Sequence, residues 1–527
     1  MSAISKEKVA VIGLGNLHFV LIVPAAHRFT KGTTGLAALK NLLEQGFDAV
    51  GLERNDYIGG IWQFNEDTNR TSVLKSVDAY PTAQQYLYYI RAYADHYDLG
   101  PHIRLGVEVS FIQRSADGQA WELKLIDADG ARSERYNKLL VCTGPWNNTF
   151  TPRYENQEGF KGEVISSKAY KGPDKYSGKN VVVVGMANTG CDVAVDLVGS
   201  AKQVYLSHRA GARIMPRNID GKPVDHGISR RLFGIVRALE RYLPSLGAIG
   251  MAHLVESRMK KMFPEIKPEW RLLPAPPFAN AAGVINDHIM GFLADGSVTS
   301  LGGIKRFHAD GIETAEEGRI PCDVVILCTG SYFDYSILSS EADPTSRPTP
   351  EWDNAPHNNG VKFPRLYQTI FPPQFADSLA FLGPCKGHSF SSPNNADLAS
   401  QAIAQVWKSN YALPSKAEME KWCDRNYKAS LHLIQPWRTP KTGHTTPGAL
   451  ETWLSDAAGN GMNEMLGWGW PGWKFWWKER DLYSLIMTGL YTPFAYRLFD
   501  GRPGGRKRWP EAREWIYKIN GKADATR

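Results

Sequence analysis

The feature that most constrains this chain is a pair of glycine-rich turns, each placed between a buried strand and a helix. One copy is continuous and reads VVVVGMANTGCDVAVDL over Val181–Leu197. The other begins as VAVIGLG at Val9–Gly15 and resumes as GLAALKNLLEQGFDAVGLE at Gly35–Glu53. Its halves are separated by 17 extra residues, Asn16–Gly32. Such turns let the backbone approach a pyrophosphate at a helix N-terminus, so the chain predicts two bound dinucleotides.

The interrupted copy becomes a complete G-x-G-x-x-G when the 17 extra residues are left out. Its glycines are then Gly13, Gly15 and Gly35. The distance from Gly13 to the acidic residue Glu53 falls from 40 positions to 23, close to the roughly 20 expected of a carboxylate that binds a ribose. Two dinucleotides in one chain indicate redox chemistry.

We interpret the extra segment Asn16–Gly32 as a retained intron. Gly15-Asn16 can be encoded with a GTAAT splice donor, and Lys31-Gly32 with an AAAG acceptor. Joining the flanks restores one glycine codon and keeps the reading frame. Sequencing the cDNA tests this interpretation, and a mature transcript that retains the segment contradicts it.

The residues after the next strand indicate which dinucleotide the interrupted unit binds. Glu53 ends that strand, where its carboxylate can accept hydrogen bonds from ribose hydroxyls, and Arg54 follows. Gly60 and Trp62, in the run Gly-Gly-Ile-Trp, mark another close approach of the backbone. The combination predicts FAD near the N-terminus rather than a bare structural turn.

The continuous unit ends without a carboxylate. Its strand at Gln203–Leu206 is followed by Ser207, His208 and Arg209. A carboxylate there selects NADH by binding the 2′-hydroxyl, whereas a hydroxyl with a guanidinium suits a 2′-phosphate. The unit therefore predicts NADPH, with a solvated basic loop as the alternative. The fingerprint positions assigned to this nucleotide are Gly185, Ala187, Asn188, Thr189 and Gly190.

Two similar strands that end in Thr-Gly predict how the domains are joined. Thr143-Gly144 and Thr329-Gly330 flank the continuous unit and are expected near the cofactors. The chain would leave the first domain after Gly144 and return near Gly330. The fold class is α/β, with two Rossmann-like domains, the NADPH domain inserted into the FAD domain, and a helical tryptophan-rich tail. The predicted segments are 1–150 (FAD, first part), 151–320 (NADPH), 321–450 (FAD, second part) and 451–527 (tail).

Hydrophobic periodicity places several further elements. We expect a tyrosine-rich packed helix over 84–97, antiparallel strands over 107–126, a strand at 378–383 and a helix over about 395–408. A basic, amphipathic helical stretch is expected at 228–263, with a break at Pro244–Gly250. The tryptophan-rich tail fits either a cap packed on the main body or an interface with a membrane or partner.

Composition limits the partners and the compartment. The net charge of +7 is dispersed, which argues against nucleic acid but permits a phosphate-bearing ligand or an anionic membrane. The six cysteines form no C-x-x-C pair, so we predict no metal site, no disulfide framework and a reduced, cytoplasmic protein. Peripheral association with the cytosolic face of an internal membrane, through 228–263 or the tail, stays open.

These motifs together resemble the flavin-containing monooxygenase family, in particular its fungal dimethylaniline-monooxygenase-like members, over nearly the whole chain. The family signature F-x-G-x-x-x-H-x-x-x-[FY]-K lies between the cofactor motifs and reads FKGEVISSKAYK at Phe160–Lys171. Ser166 stands where the family has His. The matching positions are Phe160, Gly162, Tyr170 and Lys171.

The resemblance also implies an activity. NADPH reduces FAD, the reduced flavin takes up O2 as a C4a-hydroperoxyflavin, and a small nitrogen or sulfur nucleophile receives one oxygen atom. The implied partners are a small-molecule substrate and O2. No separate catalytic acid or base is assigned, because the cofactor makes the bonds.

Two alternatives remain open. A Baeyer–Villiger monooxygenase shares this chemistry but acts on a ketone, and Tyr170-Lys171 argues mildly against its signature. An inactive nucleotide-binding protein follows if the interrupted turn is real. A second departure points the same way, because relatives carry a segment with a flavin-proximal Asn where this chain passes from Ser76 almost directly to Asp78. We interpret that gap as an exon removed in error, which the same cDNA tests.

Overall fold

The computed structural model describes residues 7–14, 34–62, 81–144, 148–227, 229–277, 280–281, 283–358, 360–383, 392–437 and 447–523. Its strands are β1 (Lys8–Ile12), β2 (Asp48–Glu53), β3 (Ile103–Leu105), β4 (Glu108–Arg114), β5 (Trp121–Asp127), β6 (Gly130–Tyr136), β7 (Lys138–Val141), β8 (Asn148–Thr149), β9 (Glu163–Ser166), β10 (Asn180–Val184), β11 (Gln203–Ser207), β12 (Ile214–Met215), β13 (Asn218–Ile219), β14 (Lys222–Pro223), β15 (Val284–Ile285), β16 (Val298–Leu301), β17 (Ile304–His308), β18 (Gly311–Thr314), β19 (Gly318–Pro321), β20 (Val324–Leu327), β21 (Ser331–Tyr332) and β22 (Leu379–Phe381).

The α-helices connect and cover these strands. They are α1 (Thr34–Glu44), α2 (Ala83–His96), α3 (Asn188–Leu197), α4 (Arg230–Tyr242), α5 (Pro244–Met262), α6 (Ile289–Ala294), α7 (Pro350–Asp353), α8 (Ser392–Trp407), α9 (Lys416–Ile434), α10 (Pro447–Ala457), α11 (Met462–Met465), α12 (Trp470–Lys478), α13 (Arg480–Thr488) and α14 (Ala512–Ile519).

A five-stranded parallel sheet forms the first domain, in the order β22-β7-β1-β2-β3. The side chains of its central strand β1 alternate between two cores. Val9 and Val11 pack with the helices, while Ala10 and Ile12 pack toward the antiparallel sheet β4-β5-β6. Because both faces of the sheet are covered, β1 is apolar on both sides, as its sequence indicates.

A second five-stranded parallel sheet has the order β16-β11-β10-β20-β9. The four valines of β10 alternate in the same way. Val181 and Val183 pack in a core with α3, and Val182 and Val184 pack in a core with the antiparallel sheet β17-β18-β19. The two glycine-rich turns thus occupy equivalent places, each after the central strand of its own sheet.

The chain crosses between the two sheets along paired linkers. Strand β8 on the outgoing linker pairs antiparallel with β21 on the returning one, with Thr149 opposite Ser331. One predicted boundary needs correction, because β20 pairs with β10 and so belongs to the second sheet. The division drawn between 320 and 321 therefore moves to a point beyond Leu327. The local pattern could not reveal this, since a buried strand reads the same in either sheet.

The remaining predicted elements are confirmed with small shifts at their ends. Helix α2 covers the tyrosine-rich segment, and β4 and β5 form the expected hairpin. Strand β22 joins the first sheet, and α8 is the next element in the sequence. The basic stretch forms α4 and α5, which are separated at Leu243-Pro244. None of the helices in the described ranges combines the length and apolar character needed to cross a bilayer.

The tail packs on the first domain through most of its length. Leu482, Phe494 and Ile516 share a core with Leu36 of α1. A buried ion pair strengthens this contact, because Arg506 donates to Asp397 of α8 at 2.6 Å. Burial alone would raise the pKa of Asp397, but Arg506, Lys40 and Arg497 together hold that pKa well below its usual value. The tail is therefore a cap on the main body, as one of its two interpretations predicts.

Candidate functional site

The two halves of the interrupted fingerprint meet in the structure. Gly13 has φ +86°, a conformation that L side chains rarely adopt. A Cβ built on Gly35, in the first turn of α1, would lie 2.2 Å from the carbonyl oxygen of Gly13. A Cβ on Gly13 would lie 3.1 Å from Cα of Thr143. Strand, helix and the first Thr-Gly turn thus converge without room for side chains. Gly15 and the extra segment lie outside the described residues.

Glu53 lies beside this turn at the end of β2 and is almost fully buried. Its carboxylate accepts a hydrogen bond from the backbone N–H of Leu14 at 2.9 Å. The side-chain amide of Asn55 donates to its other oxygen at 2.6 Å. These bonds hold the carboxylate at the mouth of the turn, where the fingerprint expects a ribose-binding acid. Arg54, the next residue, is exposed.

The Gly-Gly-Ile-Trp run follows as a short 3-10 turn over Gly60–Trp62. Gly60 has φ +54°, so this position also favours glycine. The ring of Trp62 packs against Tyr86 of α2, with ring centroids 4.3 Å apart. The segment after Trp62, where the flavin-proximal Asn of relatives is missing, lies outside the described residues.

The described part of this first site fits FAD. A Cβ at Gly13 or Gly35 would collide with backbone atoms of the turn, so the glycines allow the close packing of helix on strand that a dinucleotide-binding turn requires. Thr34, the first residue of α1, is 2% exposed, and its hydroxyl has no hydrogen-bond partner among the described residues. A buried hydroxyl without a partner at a helix N-terminus suits a phosphate oxygen.

The second turn has the same construction. Gly185 has φ +125°, and a Cβ there would lie 2.4 Å from the carbonyl oxygen of Cys328. A Cβ on Gly190, in the first turn of α3, would lie 1.7 Å from the carbonyl oxygen of Gly185. Ala187 and Thr189 are exposed at the N-terminus of α3. The helix end is thus open to an anion, which fits a dinucleotide pyrophosphate.

Asn188 and Asp192 on α3 tie that helix to the segment around β15. The side-chain oxygen of Asn188 accepts the backbone N–H of Ile285 at 2.9 Å. The amide of Asn286 donates to Asp192 at 2.9 Å. Asn188, predicted to bind the nucleotide, therefore has a structural bond on its side chain and can offer the ligand only its remaining groups.

The partly buried carboxyl of Asp192 predicts a pH dependence of stability. Burial, the largest effect, raises the pKa of Asp192 from 3.8 to about 6. Because folding raises this pKa, the protonated carboxyl favours the folded state. Its contribution to the free energy of unfolding is complete below pH 3.8 and is lost as the pH rises through about 6. We expect the Asp192→Asn variant to remove this dependence and to raise the free energy of unfolding above pH 6 by on the order of 2–3 kcal/mol. Urea unfolding on both sides of that pH measures it.

The matched control for that prediction is Asp129→Asn, which changes an exposed carboxyl in the same way. The control is expected to follow the wild-type profile. An Asp192→Asn profile parallel to wild type across the whole range contradicts the assignment.

The structure corrects one assignment at the end of β11. Ser207, predicted to bind the 2′-phosphate, is fully buried and its hydroxyl donates to the carbonyl of Gly302 at 2.8 Å. Its side chain therefore points into the protein. Arg209 is exposed and lies over Gly303, where a Cβ would lie 2.5 Å from Cγ of Arg209.

Arg209 lines an open pocket of about 320 Å³ with two cations that sequence reasoning missed. Arg271 and Lys305 reach the pocket from other segments of the chain. Arg271 is also paired with Glu317, and the carboxylate of Glu316 lies on the same wall. Three cations around a pocket next to the nucleotide turn suit a phosphate group. No local pattern marks Arg271 or Lys305, because only folding brings them beside β11.

The signature segment contains β9, and the second Thr-Gly turn follows β20, the strand that pairs with β9. Lys168, within the signature, has its pKa lowered first by burial and then by the charge of Arg54. The hydroxyl of Thr329 donates to the carbonyl of Phe150 at 2.5 Å, which joins the returning linker to the outgoing one. Gly330 follows with φ +96°. The charge of Arg54, on the FAD side, thus acts on Lys168 of the signature segment.

With this geometry in place, comparisons with known proteins identify the family. A family model described as flavin-binding monooxygenase-like matches residues 28–439. The chain belongs to the flavin-binding monooxygenase family. The match begins inside the extra segment, so the first half of the interrupted fingerprint lies outside it.

Two curated relatives cover almost the whole chain. Monooxygenase aurF of Gibberella zeae is 36% identical over 94% of this chain and 97% of that protein. Flavin-containing monooxygenase 5 of Oryctolagus cuniculus is 30% identical over 93% of this chain and 90% of that protein. Among solved structures, OTEMO in complex with FAD and NADP has a TM-score of 0.58 at 17% identity and covers 86% of this chain and 98% of that one.

These findings confirm the predictions about class. The flavin-containing monooxygenase resemblance, the α/β fold with two nucleotide-binding domains, the oxidoreductase activity and the cofactors FAD and NADPH all agree with family membership. A monooxygenase of this family takes O2 and a small-molecule substrate as partners.

Proposed function

We propose that this flavin monooxygenase holds FAD at the first turn and NADPH at the second, and transfers one oxygen atom from O2 to a small nitrogen or sulfur nucleophile. The observation that carries the proposal is the matched construction of the two turns. In each, a helix-borne glycine, Gly35 or Gly190, lies against the carbonyl of the strand-end glycine before it. The extra segment does not separate Gly13 from Gly35.

At the first site, the residues of the protein bind FAD and orient it. Backbone N–H groups at the start of α1 and the hydroxyl of Thr34 face the pyrophosphate, while Glu53 receives the ribose hydroxyls. Bound FAD supplies the redox chemistry that activates O2, with NADPH as the source of electrons. Gly60 and Trp62 form the 3-10 turn after β2 and are assigned to the same site, with Trp62 held in place by Tyr86.

At the second site the exposed N-terminus of α3 receives the pyrophosphate. Arg209 binds the 2′-phosphate, assisted by Lys305 and Arg271 across the pocket. No side chain of the described residues is assigned a proton-transfer role.

Arg209 provides a prediction about cofactor choice. Replacing it with glutamine is expected to raise the KM for NADPH by about 10–100-fold and to leave the KM for NADH unchanged, because a charged phosphate contact contributes about 1.5–3 kcal/mol. Steady-state rates with each nucleotide measure this. Arg425→Gln, at an exposed position on α9, is the matched control and is expected to keep the preference for NADPH. An unchanged preference in the Arg209→Gln variant contradicts the assignment.

The proposed reaction is tested with the purified, flavin-loaded protein. NADPH-dependent O2 uptake is expected to rise on addition of a thioether, with one atom of labelled O2 recovered in the sulfoxide. Oxygen transfer to a cyclic ketone with no sulfoxide formed would indicate a Baeyer–Villiger enzyme instead. A protein that binds flavin but shows no NADPH-dependent O2 uptake overturns the proposal.

We also propose where the enzyme works. The cysteine usage supports a cytoplasmic location, and the basic 228–263 segment with the tryptophan-rich tail supports peripheral contact with the cytosolic face of an internal membrane. Fractionation of cells that express the protein tests this, with release of the membrane-bound fraction by high salt as the expected result. Recovery only in the soluble fraction contradicts membrane contact.

A further inference from the structure

The tail, although mostly packed, exposes an unusual set of tryptophans. Trp468, Trp470, Trp473 and Trp477 are 90%, 78%, 48% and 67% exposed. Tryptophan is a large amphipathic side chain that is seldom left in water without a partner surface. The four lie within ten residues of the sequence, and the rings of Trp468 and Trp473 are 6.3 Å apart, so these exposed rings are clustered rather than scattered.

Three of these tryptophans lie on one face of α12 together with positively charged side chains. Trp470, Trp473 and Trp477 recur at three- and four-residue spacing, and Lys474 and Lys478 lie beside them. All five side chains are exposed, whereas Phe475 on the opposite face is buried in the main core. The helix is therefore anchored by one face and presents indole and ammonium groups on the other.

The charge around this face is mainly positive. Arg480 stacks on Trp477, with its guanidinium 4.6 Å from the ring centroid. Nearby, Glu464 is paired with Arg502 and Glu479 with Arg513. The exposed side chains of Lys474, Lys478 and Arg480 then carry three positive charges, and the exposed carboxylate of Asp481 carries one negative charge.

Helix α4 presents a second apolar stripe close by. Ile235, Leu239 and Tyr242 recur at helical spacing and are 54%, 39% and 73% exposed. Helix α4 packs against α13, the helix that directly follows α12. Arg230, at the start of α4, is largely buried and pairs with Glu451 of α10 at 3.1 Å, which ties α4 to a second helix of the main body. The two exposed sets are thus carried by neighbouring, firmly docked elements.

We propose that the outward face of α12, together with the α4 stripe, is a docking surface for an anionic lipid bilayer. Indole rings favour the headgroup region, and lysines beside them reach lipid phosphates. A second copy of the chain fits less well, because a two-fold contact would bring the same cations of both copies together. The proposal deepens the peripheral location given above and rests on it, and it requires no spanning helix.

Flotation of the full-length protein with vesicles tests the surface. Wild type is expected to float with phosphatidylcholine vesicles that contain phosphatidylserine, and much less with phosphatidylcholine alone. The Lys474→Glu/Lys478→Glu variant is expected to lose partitioning by at least roughly fivefold for each lysine. The Trp470→Ala/Trp473→Ala/Trp477→Ala variant is expected to lose at least about tenfold, because binding scales with buried apolar area. Brominated lipids should quench the emission of wild type and spare the tryptophan variant.

The controls separate a local effect from misfolding. Lys416→Glu/Lys421→Glu makes the same charge change on exposed residues of α9, and Tyr88→Ala removes an exposed aromatic ring elsewhere. Both are expected to float like wild type, and all variants are expected to keep flavin content and unfolding temperature. Wild type that does not float, or tryptophan variants that float equally well, overturns the proposal. So does a dimer in light scattering that the tryptophan variant abolishes. NADPH-dependent O2 uptake in solution, measured on the same samples, reports on the proposed reaction independently.

Discussion

Replacing Gly190 with alanine is expected to weaken NADPH binding by about tenfold to a hundredfold while the protein keeps its flavin. The new Cβ would lie 1.7 Å from the carbonyl oxygen of Gly185, so α3 must move away from the strand that it caps. Overpacking of this kind costs about 1–3 kcal/mol, and the displaced helix end no longer faces the pyrophosphate. We therefore expect the Kd for NADPH to rise by at least about tenfold to a hundredfold. Anaerobic reduction of the flavin, followed at increasing NADPH concentration, measures it.

Gly291→Ala is the matched control for this variant. Gly291 lies on α6 of the same domain, is exposed, and has nothing within 4 Å of a built Cβ. The control is expected to bind NADPH like wild type and to be equally or slightly more stable, because alanine favours a helix over glycine. Normal flavin reduction by the Gly190→Ala variant would show that the second turn does not hold the nicotinamide nucleotide.

Replacing Gly35 with alanine is expected to give a colourless protein. Its Cβ would lie 2.2 Å from the carbonyl oxygen of Gly13 and 3.0 Å from Cα of Leu14. The N-terminus of α1 would be pushed off the turn, and the bond from Leu14 to Glu53 would be disturbed with it. Since FAD is required for every later step, we expect flavin content and NADPH-dependent O2 uptake to be lost together.

The two glycine variants serve as controls for each other. Gly35→Ala is expected to lose flavin but to remain bound to an adenosine 2′,5′-bisphosphate resin through the second site. Gly190→Ala is expected to show the opposite pattern. Loss of both ligands in either variant would indicate general unfolding, which circular dichroism distinguishes. A Gly35→Ala protein that purifies with full flavin content contradicts the placement of FAD at the interrupted turn.

The fold was predictable from the sequence where the signal is local. The valine run before Gly185 and the spacing from Gly13 to Glu53 each describe a complete strand-turn-helix unit within one short segment. The alternation of Val9 and Ala10 between two cores follows from the period of a strand buried on both faces. The Thr-Gly turns were predictable for the same reason, since each ends such a strand.

Features that depend on distant segments were not predictable. Arg271 and Lys305 join Arg209 only because the second sheet brings their loops together. Ser207 carries the expected hydroxyl, but that hydroxyl donates to the carbonyl of Gly302 in the interior of the protein. Strand β20 reads as part of the first domain and pairs in the second. In each case the sequence indicated what kind of side chain or strand was present, but its neighbours are set by contacts between distant segments.

The extra segment bears on whether the chain works as written. An inactive nucleotide-binding protein remains the alternative if the segment prevents FAD from entering the turn. The described residues favour a working site, because Gly35 contacts Gly13 and Leu14 donates to Glu53 across the interruption. We propose that the FAD site is assembled from residues on both sides of the segment.

The most direct test is the flavin content of the chain purified with and without residues 16–32. The shortened chain is expected to bind FAD in equimolar amount, and Gly35→Ala introduced into it is expected to remove the flavin. The full-length chain is expected to bind FAD at the same site, with an affinity no greater than that of the shortened one. A shortened chain that is folded, colourless and unable to take up added FAD would contradict the claim that Gly13, Gly35 and Glu53 form one site.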